Sequence, residues 1–377
     1  MAKHLLRRLT KNLFIAANLV FSLLFILGAC LKYFNPDNWW FLGLLPFLLP
    51  FLLVIHIIFI FFWLFFKPGW MVLSILTLLA GWPAITSMIG LNFNTEFTLK
   101  KRAGDIRVMS WNVEQFNIQH YKDKPEVKVE MLDLINKYDP DIACFQEVVA
   151  GENKKGVNYF PEILDKLHFK DYFYSYAIKD DFDQYHHFGT IIFSRLPIIR
   201  KQTFVNNPND YNSTFQYIDV LAGKDTLRIF NIHLQSLKFT KENLSYLDKA
   251  NLKSDSTLSE SKSIISKMKT GFLKRSVQAD FIKDAILDSP YPVIVCGDFN
   301  DVPNSYAYEK IGDGLQDAFV TKGYGISRTF SGISPTLRID NIFVDKSLNV
   351  TQFIRIKKLL SDHFPIVTDI SLVHENE

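Results

Sequence analysis

The chain has 377 residues, a net charge of +3, 48% hydrophobic residues and 15% aromatic residues, with 34 Phe. That average is too apolar for an ordinary soluble protein of this length and too charged for a pure membrane bundle, so two regions of opposite character are expected. Neither region combines low hydrophobicity with high net charge, which excludes disorder, and three cysteines exclude a disulfide scaffold.

Residues 1–100 hold 14 of the Phe but only seven basic and two acidic side chains. A bilayer core of about 30 Å needs about 20 apolar helical residues, because charge and unpaired backbone groups are costly in hydrocarbon. Three stretches meet that length, and spans are expected over 13–31, 39–66 and 70–91. Trp39, Trp40, Trp63 and Trp70 lie near their ends, where amphipathic rings suit the headgroup layer. Pro46 and Pro50 predict a tilt or kink in the second span. His56 has no second ionisable residue in any span to pair with. The basic start MAKHLLRRLTKN also suits a signal peptide, but two further spans would keep a cleaved protein in the membrane. Lys3, Arg7, Arg8 and Lys11 favour a cytoplasmic N-terminus; Lys100, Lys101 and Arg102 oppose it. Because the first span usually dominates, a multi-pass cell-membrane protein with an extracytoplasmic C-terminal domain is expected.

Residues 101–377, with 35 basic and 37 acidic side chains, read as one mixed domain. Strands are predicted over 106–111, 141–145, 190–193, 217–221, 227–232, 293–296 and 339–344, and helices over 126–138 and 259–287. The polar stretch 238–256 reads as an insertion or mobile loop. Cys30, Cys144 and Cys296 fall in apolar runs and suit small core residues. Polar residues interrupt these runs at strand ends: Asn112, Glu147, Asn231, His233, Asp298, Asn300, Asp340, Asp362 and His363. Singly, each suits a cap or a turn. Together they can converge on one rim. Asn and carboxylates are hard oxygen donors, suited to Mg²⁺ or Mn²⁺. With a histidine that titrates near neutrality, that inventory favours metal-assisted hydrolysis of a phosphate ester. No GxSxG elbow or P-loop occurs, which disfavours serine hydrolysis and nucleotide-driven work.

SWNV at Ser110–Val113, QEV at Gln146–Val148, GTIIFSRLPI at Gly189–Ile198, NIHL at Asn231–Leu234, GDFND at Gly297–Asp301, RIDNIFV at Arg338–Val344 and SDHFPI at Ser361–Ile366 form an ordered set. In that order they resemble the endonuclease/exonuclease/phosphatase (DNase I-like) superfamily over nearly all of residues 105–373. The resemblance implies a four-layered α/β sandwich, two packed sheets flanked by helices, here preceded by the transmembrane region. It also implies that Glu147 is the principal Mg²⁺ ligand, with Asn112 beside it and Asp362 assisting. Asp298 would orient or deprotonate the attacking water, and Asn300 would bind phosphate or nucleophile. His363, polarised by Asp340, would contact the scissile phosphate, and His233 matches the second histidine of the DNase I and sphingomyelinase branches. Asn341 stands where many members carry an aromatic residue. Glu114 is either a further carboxylate ligand or a surface residue.

The expected function is a membrane-anchored, Mg²⁺-dependent phosphoester hydrolase, most directly a phosphodiesterase. A membrane-tethered nuclease and a catalytically silent binding module are the alternatives. The expected partners are the bilayer and a phosphate-ester substrate, either a lipid headgroup or a nucleic acid; no feature points to a protein partner. The net charge of −2 over residues 101–377 lacks the basic balance that helps bind a nucleic-acid backbone.

Overall fold

From Ile106 onwards the strands are apolar on both faces, which requires cover on both faces. Successive side chains alternate between two cores. Val108, Cys144 and Ile229 point into a layer between two sheets, while Met109, Phe145 and Phe230 point outward against helices. A computed structural model describes residues 2–93, 96–120, 123–151, 156–177, 181, 183–210, 212–237, 239, 243 and 256–372. Apart from Phe239, Asn243 and Ser256, the predicted loop 238–256 lies outside the described residues.

The N-terminal part contains helices α1 (Ala2–Cys30), α2 (Pro36–Trp39), α3 (Leu45–Phe66), α4 (Met71–Ala80) and α5 (Trp82–Met88), then the two-residue strand β1 (Gly90–Leu91). Two segments, His4–Tyr33 and Pro36–Phe66, are long and apolar enough to cross a membrane. The third, expected as one helix over 70–91, is a bent pair: Pro68–Ala80 and Trp82–Met88 meet at 62°. Gly81 and Pro83 explain the break. Pro83 has no N–H to continue the ladder, and a Cβ on Gly81 would lie 2.4 Å from the Phe25 ring. The second segment also starts later than expected as continuous α-helix, because α2 and a 3-10 turn at Trp40–Leu42 precede Leu45. The buried polar groups here tie helices together. Ser22 Oγ lies 3.2 Å from His56 Nε2, and Ser74 donates to Asn18 Oδ1 at 2.9 Å. His56 Nδ1 donates back to Leu52 O at 2.8 Å, so the lone histidine is satisfied by helix packing.

The mixed part is two six-stranded sheets. Its strands are β2 (Ile106–Asn112), β3 (Ile142–Gly151), β4 (Asp171–Tyr176), β5 (His186–Ser194), β6 (Ile198–Val205), β7 (Thr214–Ala222), β8 (Asp225–His233), β9 (Val293–Asp298), β10 (Leu315–Asp317), β11 (Tyr324–Gly325), β12 (Asp340–Asp345), β13 (Leu348–Arg355) and β14 (Ile366–Leu372). One sheet runs β13-β14-β2-β3-β5-β4 and the other β10-β12-β9-β8-β7-β6. Helices α6 (Pro125–Tyr138) and α7 (Phe160–Leu167) cover the first, and α8 (Ser256–Leu287) and α9 (Tyr306–Gly312) cover the second. This is the expected four-layered α/β sandwich. Cys144 and Cys296 are buried in its central layer as free thiols.

Each sheet holds one parallel pair at its centre, β2 with β3 and β8 with β9. Parallel pairing brings strand C-termini to the same rim, so Asn112 lies level with Gln146 and His233 with Asp298. The antiparallel neighbour β12 starts at that rim with Asp340 opposite Asp298. Beneath the rim, two buried amides join the sheets. Gln146 Nε2 donates to Asn231 Oδ1 at 2.7 Å, and Asn231 Nδ2 donates to the carbonyls of Phe145 (3.0 Å) and Ile191 (2.9 Å). Asn231 is therefore a tie between layers, whereas the sequence groups it with the rim residues.

The N-terminal helices dock on this sandwich. Arg338 Nη2 donates to Ser87 O at 2.7 Å, Asn304 Nδ2 to Ala84 O at 3.2 Å, and β1 pairs with β11. Replacing Asn231 by Leu removes the shortest hydrogen bond of the Gln146 amide and the side-chain donors to two carbonyls in the core. The expected cost is about 2 kcal/mol, from about 1–3 kcal/mol per buried unsatisfied group, read as a lowered thermal midpoint of the detergent-solubilised protein. An unchanged midpoint would show that the sheets do not rely on this tie.

Candidate active site

Four of the eight sequence-predicted site residues stand at strand ends, and a fifth lies inside a strand. Asn112 closes β2, His233 closes β8, Asp298 closes β9, Asp340 opens β12, and Glu147 lies within β3. The pairing of β3 with β5 shifts register between Phe145 and Val148, and Glu147 sits in that bulge with φ of 53°. A bulge re-aims a side chain. Here it lets Gln146 point between the sheets while Glu147, half-buried, turns to the rim.

The residues converge across both sheets. Asn112 Nδ2 donates to Asp298 Oδ2 at 3.1 Å. The same oxygen lies 3.6 Å from His233 Nε2 and 3.6 Å from His363 Nε2. Glu147 Oε1 is 3.7 Å from His233 Nε2. Asn300, with φ of 49°, donates its backbone N–H to Asp298 Oδ1 at 2.8 Å and its side-chain amide to Leu234 O at 3.0 Å. His363 Nδ1 donates to Asp340 Oδ2 at 2.8 Å. Asp362 is the exposed member, with its backbone N–H on Glu114 Oε2 at 3.2 Å.

Supporting groups hold this arrangement. Trp111 Nε1 donates to His363 O at 2.9 Å, and Ser361 Oγ bridges Asn112 O and the His363 N–H. Thr329 Oγ1 accepts the N–H groups of Ile339 and Asp340, at 2.9 and 3.0 Å. The Phe330 ring lies 5.0 Å from the His363 ring, and Asn212 Nδ2 is 3.5 Å from His233 Nε2. Sequence reading misses Thr329, Phe330 and Asn212. They lie in loops without strand periodicity, where nothing marks them out.

Electrostatics divide the rim in two. Burial disfavours a charged imidazole at His363, but the Asp340 and Asp298 carboxylates outweigh it and push its pKa up to about 10. His363 thus carries its proton at neutral pH. Since its ordinary value is 6.5, the pair's contribution to stability is complete below about 6.5 and is lost as pH rises through about 10. On the other side, Glu147, Glu114 and Asp362 are all raised above the usual carboxylate range, first by burial and then by neighbouring carboxylates. Three carboxylates raised in this way, with the Asn112 amide among them, make a hard-oxygen donor set that a divalent cation would relieve. A second grouping, Asp298, Asp340 and His363, has ligand atoms within 4.8 Å of one another, and one oxygen of Asp340 is buried without a hydrogen-bond partner. Its histidine is already paired with Asp340, and this is the grouping among the described residues whose ligand atoms lie close enough to share a cation. Glu114, left open by the sequence, lies beside Asp362, whose backbone N–H it accepts.

The family model for the Endonuclease/Exonuclease/phosphatase family matches residues 109–363. The chain belongs to this family. The endonuclease/exonuclease/phosphatase family consists of phosphoester hydrolases that typically depend on a divalent metal. Residues 11–88 match a second model, a domain of unknown function (DUF8431). Among solved structures of the family fold, an endonuclease/exonuclease/phosphatase from Beutenbergia cavernae is 17% identical, with a TM-score of 0.51 over 71% of this chain and 72% of that one. A family protein from Bacteroides thetaiotaomicron is 16% identical, with a TM-score of 0.51 over 73% of this chain and 100% of that one. The human Nocturnin catalytic domain with a bound sulfate anion is 20% identical, with a TM-score of 0.52 over 75% of this chain and 99% of that one. At these identities the likeness shows the fold. No curated protein matches the chain.

Asn341, the departure from the family pattern, has a local role. Its Oδ1 accepts from Arg338 Nη1 at 2.5 Å, and Arg338 also holds Asp317 and Tyr308. The residue after Asp340 thus serves the buried guanidinium that reaches α5.

In protein stripped of divalent metal, the His363 imidazole is expected to stay charged from about pH 6 to about pH 9, and Asp340→Asn should draw its titration down toward the ordinary range. Histidine-selective NMR reads both. A native midpoint near the ordinary value would show that the ion pair does not form.

Proposed function

We propose that this chain is a membrane-tethered hydrolase of phosphate esters, most directly a phosphodiesterase, that works with Mg²⁺ or Mn²⁺. The observation that carries the reading is the division of one rim into a charged histidine pair and a facing set of hard oxygen donors. Glu147, Asn112 and Asp362, with Glu114 beside them, would hold the cation. It would supply charge neutralisation at the phosphoryl group and at the departing oxygen.

The remaining residues supply the rest of an in-line displacement. Asp298, raised by burial and placed between two histidines, orients the attacking water and takes its proton. As the water oxygen bonds to phosphorus, the ester P–O bond breaks and the departing oxygen takes a proton from the rim. His363, fixed by Asp340, places a positive charge against the phosphate, and His233 flanks it from the next strand. Asn300, anchored through Asp298 and Leu234, offers its remaining amide groups to the same phosphate.

Residues 1–100 would form the anchor and residues 101–377 the catalytic unit, with α1, α2–α3 and the bent pair as three crossings. Support for sidedness comes from α1. Its basic start lies at one end, and at the other Lys32 meets Glu309 of the sandwich at 3.3 Å. A cytoplasmic basic end then leaves the sandwich outside the cytoplasm, at the cell membrane. The substrate would be an ester presented at that surface.

The full chain in detergent should hydrolyse bis-p-nitrophenyl phosphate with Mg²⁺ and stop when the metal is chelated. Glu147→Ala and His363→Ala should each lower kcat/KM by at least about hundredfold, the scale of a lost acid–base or electrostatic group. Turnover unchanged in both variants would defeat the site assignment.

A further inference from the structure

An apolar cleft of about 260 Å³ lies between α3 and the sandwich. Its helix wall is Phe47, Pro50, Val54 and Ile57, and its sandwich wall includes Val302, Ile326 and Leu337. The spacing of the helix residues places them along one face of α3. From Phe47 to Ile57 is ten residues, so the cleft follows the helix for about 15 Å, half of a hydrocarbon core of about 30 Å.

The floor of the cleft is built from the loops that carry the rim. Val302 lies two residues after Asn300, and Leu337 three before Asp340. Val302, Leu337 and Ile339 form one buried cluster, with Phe47 of α3 and Phe330 packed against it. Phe330 in turn lies against the His363 ring and bridges its backbone. A continuous apolar path therefore leads from a membrane-crossing helix to the charged histidine. The mouth is also apolar, since Val54 is 53% and Ile57 41% exposed. The wall's one charged residue, Arg338, directs its Nη atoms at Asp317, Asn341, Tyr308 and Ser87 O. Its charge is thus held by groups of the protein, and only the buried Nε lacks a partner.

We propose that this cleft receives an acyl chain of a bilayer lipid, and that the substrate is therefore a long-chain lipid phosphoester. The tail lies along α3 and the phosphate reaches the rim beside Phe330. This inference rests on the hydrolase reading and narrows it to one substrate class. An apolar wall that begins inside a bilayer and is backed by the residues packed behind the rim is already in contact with hydrocarbon, so a lipid enters without leaving its own phase.

The test uses the full chain in nanodiscs or detergent with Mg²⁺. The substrates are phosphatidylcholine, phosphatidylethanolamine, phosphatidylglycerol and phosphatidate, each in oleoyl and dibutyryl form, with bis-p-nitrophenyl phosphate as the soluble control. At least one oleoyl lipid should be cleaved faster than its dibutyryl counterpart. Val54→Trp and Ile57→Trp, which fill the mouth from exposed positions, should lower that rate about tenfold while leaving the soluble ester unaffected. No chain-length preference, or equal losses on lipid and soluble ester, overturns the inference. If soluble-ester turnover persists in either case, the hydrolase reading stands. Binding is read separately, without metal, from a phosphatidylethanolamine carrying a photoreactive group at mid-chain. Cross-links to the peptides holding Val302 and Leu337, lost in Val54→Trp, support the cleft even if no ester is cleaved. Labelling confined to the outward face of α3 overturns it.

Discussion

Two amide side chains hold the layers of this protein in register. Gln146 and Asn231 meet in the interior between the sheets, and each also engages backbone or side-chain groups of the first sheet. Everything at the rim depends on that alignment, because the donors are drawn from both sheets. Asn112 and Glu147 come from one, and His233, Asp298 and Asp340 from the other. A slide of one sheet over the other by a single residue, about 3.3 Å, would carry Asn112 away from Asp298. An amide pair suits this task better than an apolar contact, since its geometry is directional and an unpaired member in the interior is costly.

Much of this was legible in the sequence, for a physical reason. Strands buried on both faces read as unbroken apolar runs, so a polar residue at their ends stands out, and Asn112, Asp298, Asp340 and His233 were all visible in that way. Edge strands were not. β4 is mostly half-buried and β6 largely exposed, and β6 carries Arg200, Lys201 and Gln202, so no apolar run marks it. β14 contains Asp369, which is buried because Arg107 grips it through two hydrogen bonds of 2.6 and 2.8 Å and Gln352 donates a third. A pairing across more than 250 residues has no local signature. Asn231 shows the opposite limit: it looked like a rim residue, but strand alternation sends it between the layers while His233, two residues on, reaches the rim.

The helical part and the sandwich meet through buried polar contacts as well as apolar ones. The Arg338 guanidinium is shared between Asp317, Asn341, the Tyr308 hydroxyl and the carbonyl of Ser87. Burying a charge this deeply is tolerable because both Nη atoms are paired, which leaves only Nε without a partner. Arg338 stands two residues before Asp340, so the contact that seats α5 also steadies the start of β12. The bend at Gly81 makes this possible, because it swings α5 out of line with α4 and presents its last carbonyls to the sandwich.

The bulge at Glu147 has a consequence for how the protein tolerates change. A left-handed backbone costs a residue with a Cβ about 1 kcal/mol or more, and glycine at position 147 would escape that cost while also removing a carboxylate that burial disfavours. Selection for thermal endurance alone would therefore drift toward glycine there, and a more durable protein would emerge with its oxygen donor set dismantled. If Glu147 serves as proposed, durability and chemistry pull in opposite directions at this one position.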